Sequence, residues 1–364
     1  MVYCKNCSLV QLSYVISTER VFADQYTYLT GTTKSLVEYF DNLANELVRK
    51  FGLRKGDIVI DIGSNDGTFL KSFMKLEMNV LGIEGSPKPV AVANANGVKT
   101  INNFFGKGIS ELVIKNLNDS SRVKLITAMN VLAHTDNIND FLEEVKKLMT
   151  KDTVFVSQSH YLVKLLENLE FDTVYHEHLR YYTLTSLMKL FSKHNFKIFD
   201  AQQSKFYGGS ILVYADMNKK PASTNLDSIL KFEQGINVKE KFDKMKAMLE
   251  KNKLELLQLL FDIKKQGKTA VGIGAPMKAS TFLNFYKITP DLLKYLAEVN
   301  PLKINTISPG VHIPVVDEEI VFREQPDYAL ILSWNVADDI IKSYRNKGYR
   351  GKFIIPIPSV RIIE

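Results

Sequence analysis

Hydrophobic residues recur along this chain in two patterns, one typical of amphipathic helices and the other of buried strands. Between residues 33 and 51 the apolar side chains stand three or four positions apart, which predicts a helix. A short apolar run over residues 57–62 follows and predicts a buried strand. Strand-like and helix-like segments then alternate as far as residue 214, which indicates a parallel sheet with crossover helices.

A second alternating pattern begins near residue 269 and continues to residue 355, after a long amphipathic stretch over residues 231–265. We therefore predict an α/β protein with two doubly wound, Rossmann-like domains joined by a long helix. The predicted boundaries are 1–30 for a short N-terminal segment, 31–218 for the first domain, 219–265 for the helical connector and 266–364 for the C-terminal domain.

Composition limits the kinds of partner. The 364 residues are 45% hydrophobic and 24% charged, which is typical of globular proteins. The net charge is +7, but the lysines are scattered, so we expect no nucleic-acid partner and favour an anionic small molecule. No apolar run reaches the roughly 18 residues of a membrane span, and the first residues do not resemble a signal peptide. We expect a cytoplasmic protein without a membrane partner; the oligomeric state is not indicated.

A polar, glycine-containing segment, Asp61–Gly67, directly follows the first predicted strand. Small residues let the backbone approach a ligand closely, and ligands of open α/β sheets bind beyond the carboxyl ends of the strands. Glu84 closes the next predicted strand, where its carboxylate can accept hydrogen bonds from both hydroxyls of a ribose. Asp61 and Asp66 would repel a pyrophosphate but attract the ammonium group of S-adenosylmethionine.

We therefore predict a methyltransferase domain that binds S-adenosylmethionine. Its predicted donor-binding residues are Asp61, Gly63, Ser64, Asn65, Gly67, Glu84 and Asn130. Two alternatives remain. A dinucleotide would also use an acidic residue about 20 positions after the turn, although the G-x-G-x-x-G spacing is absent. The turn could also be a tight connection without a ligand.

Four of the six histidines lie between residues 134 and 178, and two of them belong to the segment Tyr175-His176-Glu177-His178. Histidine titrates near neutral pH and is the usual general base of enzymes. Glu177 is suited to orienting a neighbouring imidazole. Asn130 and His134 follow a later strand of the same predicted sheet. The histidines could instead be structural, and the His-x-His spacing also suits a metal.

These segments resemble the nucleotide-sugar C-methyltransferases, enzymes that build branched deoxysugars, over nearly the whole chain. The resemblance is carried by Tyr3-Cys4-x-x-Cys7-Ser8-Leu9-Val10-Gln11-Leu12, Ile62–Gly67, Asn130–His134, Phe171–His178, Gly272–Lys278, Pro309–Pro314 and Ile354–Pro358. It implies a zinc module, a methyltransferase domain and a C-terminal nucleotide-sugar-binding domain, in that order. It also implies His178 as general base with help from Glu177, and it implies that Tyr175, His134 and Asn130 line the reacting sugar.

The family reaction implies a nucleotide-linked 4-keto-deoxysugar as the partner. A base removes the C3 proton, the resulting enolate attacks the donor methyl group, and His134 and Tyr175 are candidate hydrogen-bond donors to the enolate oxygen. Substrate-binding candidates are Tyr28, Gly274, Lys278 and His312.

Two features depart from the family pattern. Cys4 and Cys7 form only half of a four-ligand zinc site, because the family's first cysteine pair is absent from this chain. We therefore expect residues 1–30 to be a truncated remnant of the zinc module with doubtful metal occupancy. Gln158 stands where relatives usually carry Glu.

Other functions share parts of this pattern. An O- or N-methyltransferase would need the same donor turn but no enolate stabiliser. A catalytically inactive nucleotide-sugar-binding homologue would fit the incomplete zinc module, although the donor turn and Tyr-His-Glu-His are intact. An NAD-linked sugar dehydrogenase would use the second glycine-rich turn, which lacks the third glycine at the expected spacing.

Overall fold

The computed structural model describes residues 1–22, 26, 28–218 and 220–364. The strands are β1 (Val2–Tyr3), β2 (Val10–Gln11), β3 (Ile58–Ile62), β4 (Asn79–Glu84), β5 (Thr100–Asn102), β6 (Val123–Met129), β7 (Val154–His160), β8 (Arg180–Tyr181), β9 (Lys197–Ser204), β10 (Ser210–Asp216), β11 (Ala270–Ile273), β12 (Leu296–Glu298), β13 (Val315–Asp317), β14 (Tyr328–Ile331), β15 (Lys352–Ile355) and β16 (Arg361–Ile363).

The helices are α1 (Thr18–Val21), α2 (Lys34–Phe51), α3 (Thr68–Lys75), α4 (Pro87–Ala95), α5 (Ile109–Lys115), α6 (Ile138–Leu148), α7 (Leu162–Glu167), α8 (Leu184–Lys193), α9 (Thr224–Gln234), α10 (Val238–Lys265), α11 (Met277–Tyr286), α12 (Glu319–Glu324) and α13 (Ala337–Asn346). Short 3-10 helices cover Thr30–Thr32, Ser120–Arg122, Phe171–Thr173, Phe206–Gly208 and Trp334–Val336. None of the helices in the described ranges is long and apolar enough to cross a membrane.

The described residues divide into two units. Unit 1 comprises residues 1–162 and 176–236, and unit 2 comprises residues 163–175 and 237–364. The sequence patterns do not predict this division, because residues 163–175 lie inside the predicted methyltransferase domain, 31–218.

Unit 1 contains a seven-stranded sheet in the order β5-β4-β3-β6-β7-β10-β9. The first five strands are parallel, whereas β10 pairs antiparallel with both β7 and β9. Every residue of β3 is buried, as expected for a central parallel strand covered on both faces. The apolar stripe of α2 packs on this sheet together with Phe69 and Phe73 of α3. The predicted alternation of strands and helices is therefore confirmed for this part of the chain.

A second, three-stranded sheet of unit 1 joins the N-terminal residues to the histidine-rich segment. Its order is β1-β2-β8, and Val10 and Gln11 pair antiparallel with Tyr181 and Arg180. Cys4 and Cys7 are unpaired thiols on the turn between β1 and β2. Within the described part of the chain, no group of three His, Cys, Asp or Glu side chains could hold a metal. A structural zinc takes four ligands, so these residues do not fit a complete zinc site.

Unit 2 contains a six-stranded sheet in the order β13-β12-β11-β14-β15-β16, parallel except for β16. The sequence predicted one helix over residues 231–265, but the structure has two. Helix α9 ends at Gln234, and Asn237 caps α10 by accepting a hydrogen bond from the Glu240 N–H group. Leu256, Leu260 and Ile263 on α10 are buried, and the whole of α10 belongs to unit 2.

An internal ion pair holds the segment 163–175 in unit 2. The buried carboxylate of Asp172 accepts a hydrogen bond from Trp334 Nε1 at 2.7 Å, and Lys278 Nζ lies 3.6 Å from the same oxygen. Phe171 packs against Phe285 of α11, with ring centroids 4.6 Å apart. Contacts between residues more than 100 positions apart therefore decide where this segment lies, and local sequence patterns do not report them.

Candidate functional site

The predicted donor turn of unit 1, Asp61–Gly67, requires glycine at position 63. Gly63 follows β3 with a φ of +70°, a conformation that L residues with a side chain rarely adopt. A Cβ atom at this position would lie 2.5 Å from Val131 Cγ2, so the close approach of the two loops also excludes a side chain. The Gly63 N–H group donates to the Ile83 carbonyl at 2.8 Å and joins the turn to β4.

Two carboxylates lie at the carboxyl end of β3 and β4. Glu84 accepts backbone hydrogen bonds from Asn65 at 3.1 Å and from Ser86 at 2.7 Å. Asp61 is buried and accepts a hydrogen bond from Thr127 Oγ1 at 2.6 Å. Burial raises the pKa of Asp61 to about 7; the Thr127 hydroxyl opposes this rise, and the neighbouring Glu84 carboxylate adds to it. Burial likewise raises the pKa of Glu84.

The predicted donor residue Asn65 also positions the segment that contains Tyr28. Its side-chain amide donates to the Tyr28 carbonyl at 3.1 Å and accepts from the Thr30 N–H group at 2.9 Å. Asp66 accepts from the Gly31 N–H group at 2.8 Å. Tyr28 is therefore attached to the donor turn by its backbone, and its side chain is 40% exposed.

Gly67 and Ser64 belong to the same predicted donor turn. Gly67 has a φ of +77° and precedes α3, where a Cβ atom would lie 2.9 Å from Val98 Cβ. Ser64 is buried, and its hydroxyl has no hydrogen-bond partner among the described residues. A buried polar atom without a partner is costly, and the Ser64 hydroxyl lies against Gly82 of β4, where a Cβ atom would be 2.4 Å away.

Three histidine rings meet in unit 1. The His178 ring centroid lies 4.9 Å from that of His134 and 4.7 Å from that of His160. The sequence singled out His134 and His178, but not His160, for the site. His176 is exposed, whereas His178 is only 6% exposed.

Long-range backbone hydrogen bonds bring these rings together. The Leu179 N–H group donates to the Ala133 carbonyl at 2.8 Å, so the residues beside His134 and His178 are joined directly. The Leu12 N–H group donates to the Leu179 carbonyl at 2.9 Å. The N-terminal strands β1 and β2 thus belong to the same sheet as β8, which begins two residues after His178.

The state of His134 follows from its surroundings. Burial lowers the pKa of His134 to about 3, His178 lowers it further, and a hydrogen bond to the Glu177 backbone opposes the shift. His134 Nδ1 is buried without a hydrogen-bond partner among the described residues. Nε2 must therefore carry the proton that is shared with the backbone carbonyl, and the neutral ring presents Nδ1 as an acceptor.

Buried amides lie at the ends of β6 and β7. Asn130 follows β6 with a φ of +57°, and its buried side-chain amide interacts with the Tyr207 hydroxyl. Gln158 on β7 donates to Ser210 Oγ at 2.7 Å, while its Oε1 atom has no partner there. The side-chain amide of Gln158 donates this hydrogen bond to Ser210. The ionised carboxylate of a Glu at position 158 could only accept one.

Sequence patterns missed three residues near this edge of the sheet: His160, Tyr39 and Tyr207. Burial raises the pKa of Tyr207, and the nearby Tyr28 and Tyr39 raise it further. Tyr207 also has a positive φ of 58°, which is uncommon for a residue with a bulky side chain. The sequence does contain a sign of this turn, because the Gly208-Gly209 dipeptide that follows Phe206 and Tyr207 is typical of turns.

The candidate residues of unit 2 have different surroundings. Gly274 follows β11 with a φ of +82°, like Gly63 in unit 1. Lys278 is paired with Asp172 and donates to Asn335 Oδ1 at 2.9 Å, so its ammonium is already engaged. His312 is exposed with a φ of +58°. Tyr175 also belongs to unit 2 and is half-buried.

Glu298 is a residue of unit 2 that the sequence patterns did not indicate. It closes β12 and accepts backbone hydrogen bonds from Ala275 at 2.9 Å and from Asn300 at 3.0 Å. Glu84 accepts the same two kinds of hydrogen bond in unit 1. One comes from Asn65 in the turn after β3, and the other comes from Ser86, two positions after Glu84. The two units thus share a strand-end glutamate that stabilises a glycine turn.

Known proteins match both parts of the chain. A family model described as a methyltransferase domain matches residues 36–201, and one described as a C-methyltransferase C-terminal domain matches residues 205–358. C-methyltransferase NovU of Streptomyces niveus is 31% identical over 372 residues, which cover 100% of this chain and 87% of NovU. The chain belongs to the C-methyltransferase family. This C-methyltransferase is accordingly an enzyme that depends on S-adenosylmethionine. The Glu84 carboxylate, with one backbone hydrogen bond on each oxygen, retains acceptor capacity that suits the hydroxyl groups of this cofactor.

More distant relatives share part of the C-methyltransferase chain. The ubiquinone biosynthesis O-methyltransferase of Pelagibacter ubique is 25% identical over 118 residues, covering 31% of this chain and 48% of that protein. Among solved structures, the PH0226 protein of Pyrococcus horikoshii OT3 is 16% identical, with a TM-score of 0.42, and covers 54% of this chain and 97% of that one.

Proposed function

We propose that this C-methyltransferase transfers a methyl group from S-adenosylmethionine to a carbon beside the ketone of a nucleotide-linked 4-keto-deoxysugar. The observation that carries the proposal is the meeting of His134, His160 and His178 in the same unit as the donor turn. Methyl transfer to carbon needs a base that removes a C–H proton, and imidazole is the side chain best suited to this at neutral pH.

In this proposal the donor is held by the turn after β3. The Glu84 carboxylate accepts hydrogen bonds from the ribose hydroxyls, because its two backbone bonds leave acceptor capacity on both oxygens. Asp61, at the end of β3, attracts the ammonium group of the donor. Gly63 and Gly67 keep side chains away from the ligand, and Ser64 offers its unsatisfied hydroxyl. When bound, S-adenosylmethionine supplies an electrophilic methyl group.

His178 is the proposed general base. Its ring is 6% exposed, which keeps it in a fixed environment away from bulk water. The neighbouring Glu177 carboxylate, 8% exposed, stabilises the imidazolium that forms after proton removal. The C3 proton moves to a ring nitrogen of His178, and the electrons of the C–H bond form the enolate. A positioned base of this kind contributes roughly 10²–10⁴-fold to the rate.

Asn130 is the proposed hydrogen-bond donor to the enolate oxygen. Its Nδ2 atom is buried and its amide lies beside the Tyr207 hydroxyl, so the group is already desolvated before substrate binds. His134 is less suited to this role than the sequence suggested, because its one N–H group is used by the Glu177 backbone. We propose instead that His134 Nδ1 accepts a hydrogen bond from a sugar hydroxyl. Tyr175 remains a candidate donor through the family resemblance.

For the nucleotide part of the substrate we propose unit 2. The turn at Gly274 precedes the N-terminus of α11, and helix N-termini bind phosphate through free N–H groups and the helix dipole. Lys278 must exchange its bonds to Asp172 and Asn335 before it can contact a diphosphate. His312 is exposed in a left-handed conformation and is the proposed contact to the nucleoside. Tyr28 is proposed to contact the sugar.

The test compares two neighbouring histidines. His178→Gln is expected to lower turnover of nucleotide-linked 4-keto-deoxysugars by about 10²–10⁴-fold, with donor affinity nearly unchanged in calorimetry. His176→Gln is the matched control, because that side chain is exposed; its turnover should match the wild type. In deuterated water, the wild-type enzyme should exchange or lose the C3 hydrogen. Methyl transfer to a hydroxyl with C3 untouched would contradict the proposal.

A further inference from the structure

His160 is the third ring of the histidine cluster, and the proposed reaction does not yet use it. It is the last residue of β7 and lies opposite Ser210 of β10 in an antiparallel pair. It is half-buried, whereas the His178 ring is buried. The two ring centroids are 4.7 Å apart with an interplanar angle of 69°. This separation leaves no room for a water molecule between the rings, so His178 is in direct contact with a more exposed imidazole.

The two neighbours of His178 differ in what they can do with a proton. His134 is held neutral by burial, and its N–H group is engaged with the Glu177 backbone. Because burial lowers the pKa of His134 to about 3, this ring is neutral at pH 7. His134 therefore does not take a proton from His178. The Glu177 carboxylate is buried, and it stabilises the imidazolium without offering a path to solvent.

We propose that His160 is a proton relay that returns His178 to its neutral form in each catalytic cycle. This inference rests on the proposed function. The C3 proton of the sugar moves to His178 when the enolate forms. His178 then passes a proton from a ring nitrogen to an unprotonated ring nitrogen of His160, and His160 releases a proton to water. Both rings end neutral, while the enolate electrons form the bond to the transferred methyl group.

The described neighbours of His160 include one imidazole that can exchange a proton with it. The His178 ring faces it directly, and the His134 ring in turn contacts His178. On β10 the facing residue is Ser210, which does not titrate in this range. The next residue along the chain is Tyr161, whose ring is fully buried. His178 is therefore a titrating neighbour whose ring is in direct contact with that of His160.

The first experiment separates one turnover from many with the full-length protein. In His160→Gln, His178 still accepts the first proton, so the single-turnover rate should stay within about threefold of wild type while steady-state turnover falls about 10–100-fold. Added imidazole should restore the steady-state rate of this variant but not accelerate the wild type. His194→Gln is the control, because His194 is bonded to Glu143 at 2.7 Å and Asn139 at 3.0 Å, outside the cluster. Its rates should be unchanged.

The results that would overturn the relay are equally specific. Unchanged steady-state turnover in His160→Gln, or an equal loss in single and multiple turnovers without rescue by imidazole, contradicts it. A second measurement needs no substrate: in ¹⁵N-histidine NMR spectra of the wild type, His160 and His178 should titrate as a coupled pair. His160→Gln should reduce this to one step for His178. Coupled titration without methyl transfer to a keto sugar refutes the proposed function alone, whereas independent titration refutes the relay.

Discussion

Two glycines with the same backbone conformation but different surroundings allow a direct test of the donor turn. Gly63 has a φ of +70° and Gly97 a φ of +79°. A Cβ atom at Gly63 would lie 2.5 Å from Val131 Cγ2, whereas one at Gly97 would have no atom within 4 Å. Replacing either glycine by Ala should cost roughly 1–2 kcal/mol for the left-handed conformation. Only Gly63→Ala should add an overpacking cost of about 1–3 kcal/mol.

The measurement is the free energy of unfolding in urea, together with the affinity for S-adenosylmethionine by calorimetry. Gly63→Ala should lose more stability than Gly97→Ala and should bind the donor more weakly, because Gly63 lies within the predicted donor turn. Val131→Ala removes the clashing methyl group, and the next nearest atom, Val131 Cβ, is 3.7 Å away. The double variant should therefore recover the extra loss. Equal losses at positions 63 and 97, or no recovery in the double variant, would refute this explanation.

Three further predictions concern the donor site and the core of unit 1. Glu84→Gln should weaken donor binding by about tenfold to hundredfold, since neutral hydrogen bonds are roughly half as strong as charge-assisted ones; unchanged affinity in calorimetry would exclude a ribose contact. Burial raises the pKa of Asp61 to about 7, so its carboxyl group is protonated below that pH. Donor affinity should therefore rise between about pH 6 and pH 8 as the carboxylate forms. Asp61→Asn should remove this pH dependence, and a flat profile for the wild type would contradict the prediction. Phe155 is fully buried and stacks with Phe191 at 5.8 Å; Phe155→Ala should lower the free energy of unfolding by about 3–5 kcal/mol, and a loss below 1 kcal/mol in urea unfolding would contradict the packing.

Local patterns predicted much of the parallel framework. The second predicted strand was expected to end at Glu84, as β4 does, and the helix predicted over residues 33–51 begins one residue later, at Lys34. These elements have strong apolar periodicity, and glycines end or connect them. The break between α9 and α10 was missed, because a single Gly235 in a continuous amphipathic pattern does not by itself end a helix.

The donor turn was more accessible to sequence analysis than the histidine cluster. Asp61, Gly63 and Glu84 lie on consecutive strands of one βαβ unit, so their approximate positions follow from the spacing of strands. No local pattern pointed to His160. Its contact with His178 depends on where β7 ends and on the tertiary contacts that bring residue 178 next to that end. The neutral state of His134 depends on burial and on the Glu177 backbone, neither of which is a property of local sequence.

The sequence by itself determined the types of most elements, the glycine turn after β3 and the acidic residue at the end of β4, because periodicity and backbone preferences act over a few residues. The tertiary structure alone decided that β10 enters the sheet antiparallel between β7 and β9, and that residues 163–175 belong to unit 2. It also decided which histidines meet. Hydrogen bonds such as that from Leu179 to Ala133 join residues far apart in the chain, and their partners are fixed only when the whole core packs.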